Sequence, residues 1–116
     1  MRLETHEGVF ADPATAEDVA AAVAGLTAVG EAYVILNDDR LGDETYVQAA
    51  GAVGEPFVVE RRDGCAGEHY RGDRRVSADE LVALFVGYLR GSPDWSCAIE
   101  WHRVRVDFAS IANENS

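Results

Sequence analysis

Two helix-start signals bracket the centre of this chain and limit its fold more than any other feature. In the second, Ser77 is followed three residues later by Glu80, a capping box in which each side chain satisfies a backbone N–H of the other residue. Apolar residues then recur at the spacing of one helix face: Leu81, Leu84, Phe85, Tyr88 and Leu89. Gly91 is a typical helix end, and Pro93 prevents the helix from resuming. We predict a helix near 77–90, with Leu84 and Phe85 in the core.

The first signal is at Thr15, which can cap a helix, with Asp18 three residues later. Val19, Val23 and Leu26 follow at i, i+4 and i+7 and form one apolar stripe. Gly30 is a plausible stop, so we predict a helix near 15–28.

The remaining segments have the composition and the turn signals of short strands. Four runs lie between the helices, at 32–37, 45–50, 56–62 and 68–71, a fifth lies at 95–106, and residues 1–11 give a weak signal for an edge strand. Short connections between consecutive runs favour antiparallel pairing. The predicted fold is a two-layer α+β sandwich, order (β)-α-β-β-β-β-α-β, with two helices on one face of a mostly antiparallel sheet.

A chain of 116 residues suits one domain, which we place at 1–108, followed by a frayed tail at 109–116. The first residues contain no apolar signal core, and no apolar run is long enough to span a membrane. The two cysteines have no CxxC spacing. We therefore expect a cytoplasmic protein with reduced thiols.

The net charge of −11 is unevenly distributed along the chain. Residues 1–60 contain 12 carboxylates and only two arginines, whereas residues 61–116 contain 9 carboxylates and 8 arginines. Such a charge opposes direct binding to nucleic acid, whose affinity comes largely from neutralised phosphates. It instead favours a basic protein partner.

The segment from Asn37 to Glu44 is the most acidic turn of that half. It fails as a calcium loop, because Leu41 and Gln48 stand where an EF-hand needs oxygen ligands. Two interpretations stay open, a solvated hairpin turn and an acidic tip that faces a partner, with Glu31 adding to the tip. The predicted partner-binding residues are Glu31, Asp38, Asp39, Asp43 and Glu44.

No catalytic or metal-ligating motif is visible in the sequence. His6, His69 and His102 lie in different segments without metal-binding spacing, and the glycines form no phosphate loop. Glu60 and Glu100 stand inside predicted strands, where an acid–base pair would also need a pocket. Trp95 and Trp101 are interpreted as packing residues. We expect no enzyme activity, cofactor or metal.

One pattern of strands and a helix resembles a known group. Its segments are Thr45 to Gly51, Phe57 to Glu60, His69-Tyr70, Asp79 to Leu89, Trp95 and Ile99 to Trp101. They resemble small bacterial immunity proteins of polymorphic toxin systems, notably those that guard against deaminase and nuclease toxins. The resemblance implies an α+β inhibitor that covers the active site of a toxin.

Two alternatives stay open. The chain could be a homodimer that associates through a sheet edge. It could also be an unrecognised hydrolase or ligand-binding fold that works through Glu60, Glu100 or His69.

Overall fold

The computed structural model describes residues 1–26, 32–41, 44–51 and 54–104. Within these residues, seven strands form one antiparallel sheet and two α-helices are present. In chain order they are β1 (Arg2–Thr5), β2 (Gly8–Ala11), α1 (Ala16–Ala24), β3 (Tyr33–Asn37), β4 (Thr45–Ala50), β5 (Val58–Asp63), β6 (His69–Gly72), α2 (Ala78–Leu89) and β7 (Trp101–Arg103). The predicted α+β fold class is confirmed.

Spatial order in the sheet is β2-β1-β3-β4-β5-β6-β7, so neighbours along the chain are mostly neighbours in space. The register places Leu3 opposite Leu36, and Leu36 opposite Val47. Directly opposed residues point to the same side of a sheet, so this row of apolar side chains lies on one face. The helices cover that face and pack against each other.

Both capping boxes form as the sequence predicts. The Thr15 and Ser77 side chains accept from the backbone N–H three residues later, and the Asp18 and Glu80 carboxylates accept from the N–H of the cap residue. Each box satisfies backbone donors that the first helical turn leaves unpaired. The two predicted helices therefore begin where expected.

Glycine determines how α2 ends. Gly91 has a φ of 68°, and its N–H donates to the Tyr88 carbonyl, while the Ser92 N–H donates to the Gly87 carbonyl. These two bonds form a Schellman motif, which requires a left-handed residue at this position. Gly87 has a second role, because a Cβ there would lie 2.7 Å from the Cβ of Trp95.

Three element boundaries differ from the predictions. Residues 1–11 form a two-stranded hairpin rather than one strand, because Gly8 turns the chain with a φ of 116°. Helix α1 ends at Ala24 with Gly25 as its C-cap, and the predicted stop at Gly30 lies outside the described residues.

The predicted strand at 95–106 is wrong in its first half. Pro93–Cys97 is a 3-10 helix whose N-cap Ser92 accepts from the Asp94 N–H, and within the described residues, which end at 104, the strand spans Trp101–Arg103. Packing of Trp95 against Gly87 of α2 holds this segment on the helical layer. The predicted tail at 109–116 lies outside the described residues.

The predicted core residues Leu84 and Phe85 are buried, at 5% and 0% exposure. We expect Phe85→Ala to lower the free energy of unfolding by about 3–5 kcal/mol, since it removes a ring from a packed interior. Denaturant unfolding measures this loss.

Phe10→Ala is the matched control, because Phe10 is 46% exposed. It should change the free energy by about 0.5 kcal/mol or less. Equal losses in the two variants would show that the stripe of α2 does not face the core.

Candidate functional site

The described acidic residues of the predicted turn all have a cation nearby. Asp38 accepts two hydrogen bonds from Arg40, at 2.8 and 2.9 Å, and it is only 6% exposed. An Asp39 carboxylate oxygen lies 3.7 Å from the N-terminal amino group, and Glu44 accepts from Arg62 at 2.7 Å. Glu31 and Asp43 lie outside the described residues. The turn therefore presents less free negative charge than its sequence suggests.

The hydrogen bond from Arg40, reinforced by its charge, holds the pKa of Asp38 below its usual value, against the opposing effect of burial. A carboxyl whose pKa is lowered on folding contributes stability above its unfolded pKa, and this contribution is lost as the pH falls through the folded value. Asp38 thus stabilises the turn at neutral pH and ceases to do so in acid.

The face of the sheet opposite the helices has a polar centre. His69 is 3% exposed, its Nδ1 lies 3.1 Å from Arg62 Nε, and its Nε2 lies 3.2 Å from Glu60 Oε1. A guanidinium can only donate, so Nδ1 accepts and the ring proton is on Nε2, which donates to Glu60. Arg71 adds a contact to the same Glu60 oxygen at 3.6 Å.

This network joins neighbouring strands, because Arg62 of β5 pairs in register with His69 of β6. Both ring nitrogens of His69 are engaged by side chains of β5. The geometry suits fixing the strand register, and it leaves the imidazole without a nitrogen for a bound substrate. Glu100 does not join Glu60 and His69; it lies at the β7 end of the sheet near Asp73, whose N–H donates to the Glu100 carbonyl at 2.8 Å.

Sequence reasoning missed an arginine set among aromatic rings on the helical side. The guanidinium carbon of Arg61 lies 4.7 Å from the Tyr70 ring centre, 5.1 Å from that of Trp101 and 5.5 Å from that of Trp95. Each is within cation–π range. The signal available in the sequence was strand parity, which puts Arg61 on the same side as Val59. As predicted, both tryptophans pack against the core.

Tyr88 lies beside this cluster, with its ring edge-on to Trp95 at 5.0 Å between centres. Burial, with a smaller contribution from Asp38 and Asp63, raises the pKa of Tyr88 to about 12. Tyr88 is therefore a buried phenol whose ionisation is opposed by burial and by the nearby carboxylates.

The exposed apolar side chains are concentrated elsewhere. The large ones among the described residues are Val9 at 62%, Phe10 at 46%, Tyr33 at 37% and Leu41 at 68%. Val9 and Phe10 belong to β2, which is an edge strand. Among the described residues, no arginine lies within ion-pair distance of Glu7, Asp12 or Glu17, which surround β2 and the start of α1.

Comparison with known proteins identifies no relative: no family model matches the chain, and neither a curated protein nor a solved structure does so. Of the helices in the described ranges, none has the length and apolar character needed to cross a membrane.

We expect Asp38→Asn to lower the free energy of unfolding by about 1 kcal/mol at pH 7, because its partner Arg40 is largely exposed and screened by solvent. The difference from the wild type should shrink as the pH falls below about 3.9, the usual pKa of an unfolded Asp, and it should vanish only below the lowered pKa of the folded carboxyl, where the wild-type side chain is protonated too. Urea unfolding across this pH range measures both effects.

Asp39→Asn is the control, since that carboxylate is more exposed and makes one long contact. A constant difference between Asp38→Asn and the wild type down to pH 2 would contradict an electrostatic origin.

We expect the ionisation of Tyr88 to lower the free energy of unfolding in alkali. A raised folded pKa contributes stability below the unfolded value of 10, and this is lost as the pH rises toward about 12. Between pH 9 and pH 11, the free energy of unfolding should fall by about 1 kcal/mol less in Tyr88→Phe than in the wild type. Tyr33→Phe, at an exposed tyrosine, should behave as the wild type does in the same urea series.

Proposed function

We propose that this chain is a non-enzymatic binding protein that recognises a basic protein partner, and that it acts as an immunity protein against a nucleic-acid-targeting toxin. The observation that carries the proposal is that acidic residues and exposed apolar side chains occur together on one half of the sheet. The half formed by β2, β1, β3 and β4 with α1 comes from the acidic part of the sequence, and it also contains Val9, Phe10, Tyr33 and Leu41.

The arrangement of the strands is what makes the charge asymmetry spatial. Because sheet order nearly follows chain order, most of the described carboxylates of residues 1–60 lie apart from the arginines of β5, β6 and β7; the exceptions are Glu44, which binds Arg62, and Glu60, which contacts Arg71. A one-sided field of this kind speeds the approach of an oppositely charged partner. Exposed apolar side chains inside the charged surface supply the contact area that holds the partner after encounter.

Edge strand β2 is the proposed centre of this surface. Among the described strands, one edge of β2 has no partner, and beside Phe10 lies a depression of about 100 Å³ whose other walls include Ala22 and Leu26 of α1. Glu7 precedes the strand and Asp12 follows it. An apolar side chain flanked by basic residues would fit this surface.

In this proposal the acidic turn forms the rim of the binding surface centred on β2. Asp39 and Glu44 are exposed enough to meet a partner, but each would first have to exchange an internal cation for the new one. Glu7 and Asp12 need no exchange with an arginine of the described chain. They should therefore contribute more to the association rate than the turn does.

The resemblance to immunity proteins supports the identity of the partner as a toxin domain. Toxins that act on nucleic acid need a basic cleft, and an acidic inhibitor can occupy such a cleft by presenting carboxylates in place of phosphates. The partner class is therefore a basic catalytic domain of a toxin encoded beside this chain.

The test is a kinetic binding series against that toxin domain at several salt concentrations. The variant Glu7→Gln with Asp12→Asn should associate more slowly than the wild type, and the difference should shrink as salt rises. The pair Asp39→Asn with Glu44→Gln should show a smaller effect.

Asp79→Asn with Asp94→Asn is the matched control, because it removes the same charge from the other half of the molecule. If this control slows association as much as Glu7→Gln with Asp12→Asn does, only the net charge affects the rate, and β2 is not part of the binding surface. If the wild type binds no such toxin domain, the immunity function is wrong.

The same edge favours a second candidate, a homodimer formed by β2 pairing with β2 of another copy. Val9 and Phe10 are exposed on a strand that has only one partner strand among the described residues, and such an edge favours pairing with another copy. Analytical ultracentrifugation distinguishes the cases: Val9→Lys should convert a dimer into a monomer, and a wild-type monomer at high concentration excludes this candidate.

A further inference from the structure

We propose that Asp73, Glu100 and His102 form a binding site for one divalent first-row transition metal ion at the β6–β7 edge of the sheet. Each residue offers a ligand atom, and these three atoms all lie within 4.8 Å of one another. This inference is independent of the proposed function.

Strand register creates the cluster. Arg71 lies opposite His102 and Gly72 lies opposite Trp101, so Asp73 and Glu100 are the next facing pair, joined by a backbone hydrogen bond of 2.8 Å. Glu100 directly precedes β7 and lies two residues before His102, and the alternation of the strand, continued by one residue, points both side chains to the same side. Asp73 reaches that side from the neighbouring strand.

The donor set suits a transition metal. One imidazole and two carboxylates bind Zn²⁺ with metal–ligand distances of about 2.0–2.2 Å, whereas Ca²⁺ and Mg²⁺ prefer oxygen ligands throughout. Ligands on one ion lie about 3–4 Å apart at those distances, so the three side chains need to close by a small rotamer change. All three are exposed and free to make it.

Arg71 provides an internal check on the proposal. Its register position is beside His102, and its guanidinium also lies 3.6 Å from Glu60. A positive charge next to a cation site weakens binding by repulsion, so Arg71→Gln should strengthen it several-fold. If the acidic cluster served only to bind Arg71, the Arg71→Gln substitution would not strengthen metal binding.

The experiment is a titration of Zn²⁺ into the full chain by calorimetry. It uses a Cys65→Ser, Cys97→Ser background, because both thiols are exposed and would bind zinc themselves. We expect one ion per chain. His102→Ala and Asp73→Asn should each weaken binding by more than about tenfold, as the loss of an indirect partner alone costs about 10–100-fold.

His6→Ala is the matched control, since His6 lies 3.8 Å from Glu7 without forming part of this cluster. It should leave the affinity unchanged, and circular dichroism confirms that every variant is folded. Mn²⁺ added to labelled protein should broaden the amide signals near residues 73 and 100–102 first. Equal losses in His6→Ala and His102→Ala, or broadening that is uniform over the surface, would overturn the proposal.

Discussion

The burial of one side of the sheet beneath two helices is the constraint on which the rest of this structure depends. The side chains of a strand alternate between faces, so one register fixes every residue of the sheet as inward or outward. With Leu3, Leu36 and Val47 in one inward row, the neighbouring row must point away from the helices. Glu60 and Arg62 of β5 and His69 of β6 are outward for this reason, and their hydrogen bonds are a consequence of the packing.

The register also explains the two unexpected side-chain groups. Arg61 shares the inward parity of Val47, with which it pairs, but it lies at the border of the core, where aromatic rings from β6, β7 and the 3-10 helix surround it. His69 has outward parity and is nevertheless buried, because Arg62 and Glu60 close over its ring. In both cases a polar group obtains its partners from other elements, His69 from β5 and Arg61 from β6, β7 and the 3-10 helix.

Intramolecular pairing limits what the negative charge can do. A carboxylate that already binds an arginine gives little to a partner, because the new contact replaces an old one of similar strength. This distinguishes the turn at Asp38 and Glu44 from the surface around β2, where Glu7 and Asp12 have no arginine partner in the described chain. The number of acidic residues in a segment is therefore a poor measure of its field.

The sequence by itself determined the two helices, the strand-rich centre and the fold class, since capping boxes and apolar spacing act over a few residues. It also determined the charge asymmetry, but not its place on the surface. Only the tertiary structure decided that Glu44 binds Arg62, that the 3-10 helix at 93–97 packs through Trp95 against Gly87, and that Asp73 meets Glu100 and His102. These features depend on pairs of residues from different elements, and sequence spacing contains no information about which elements become neighbours.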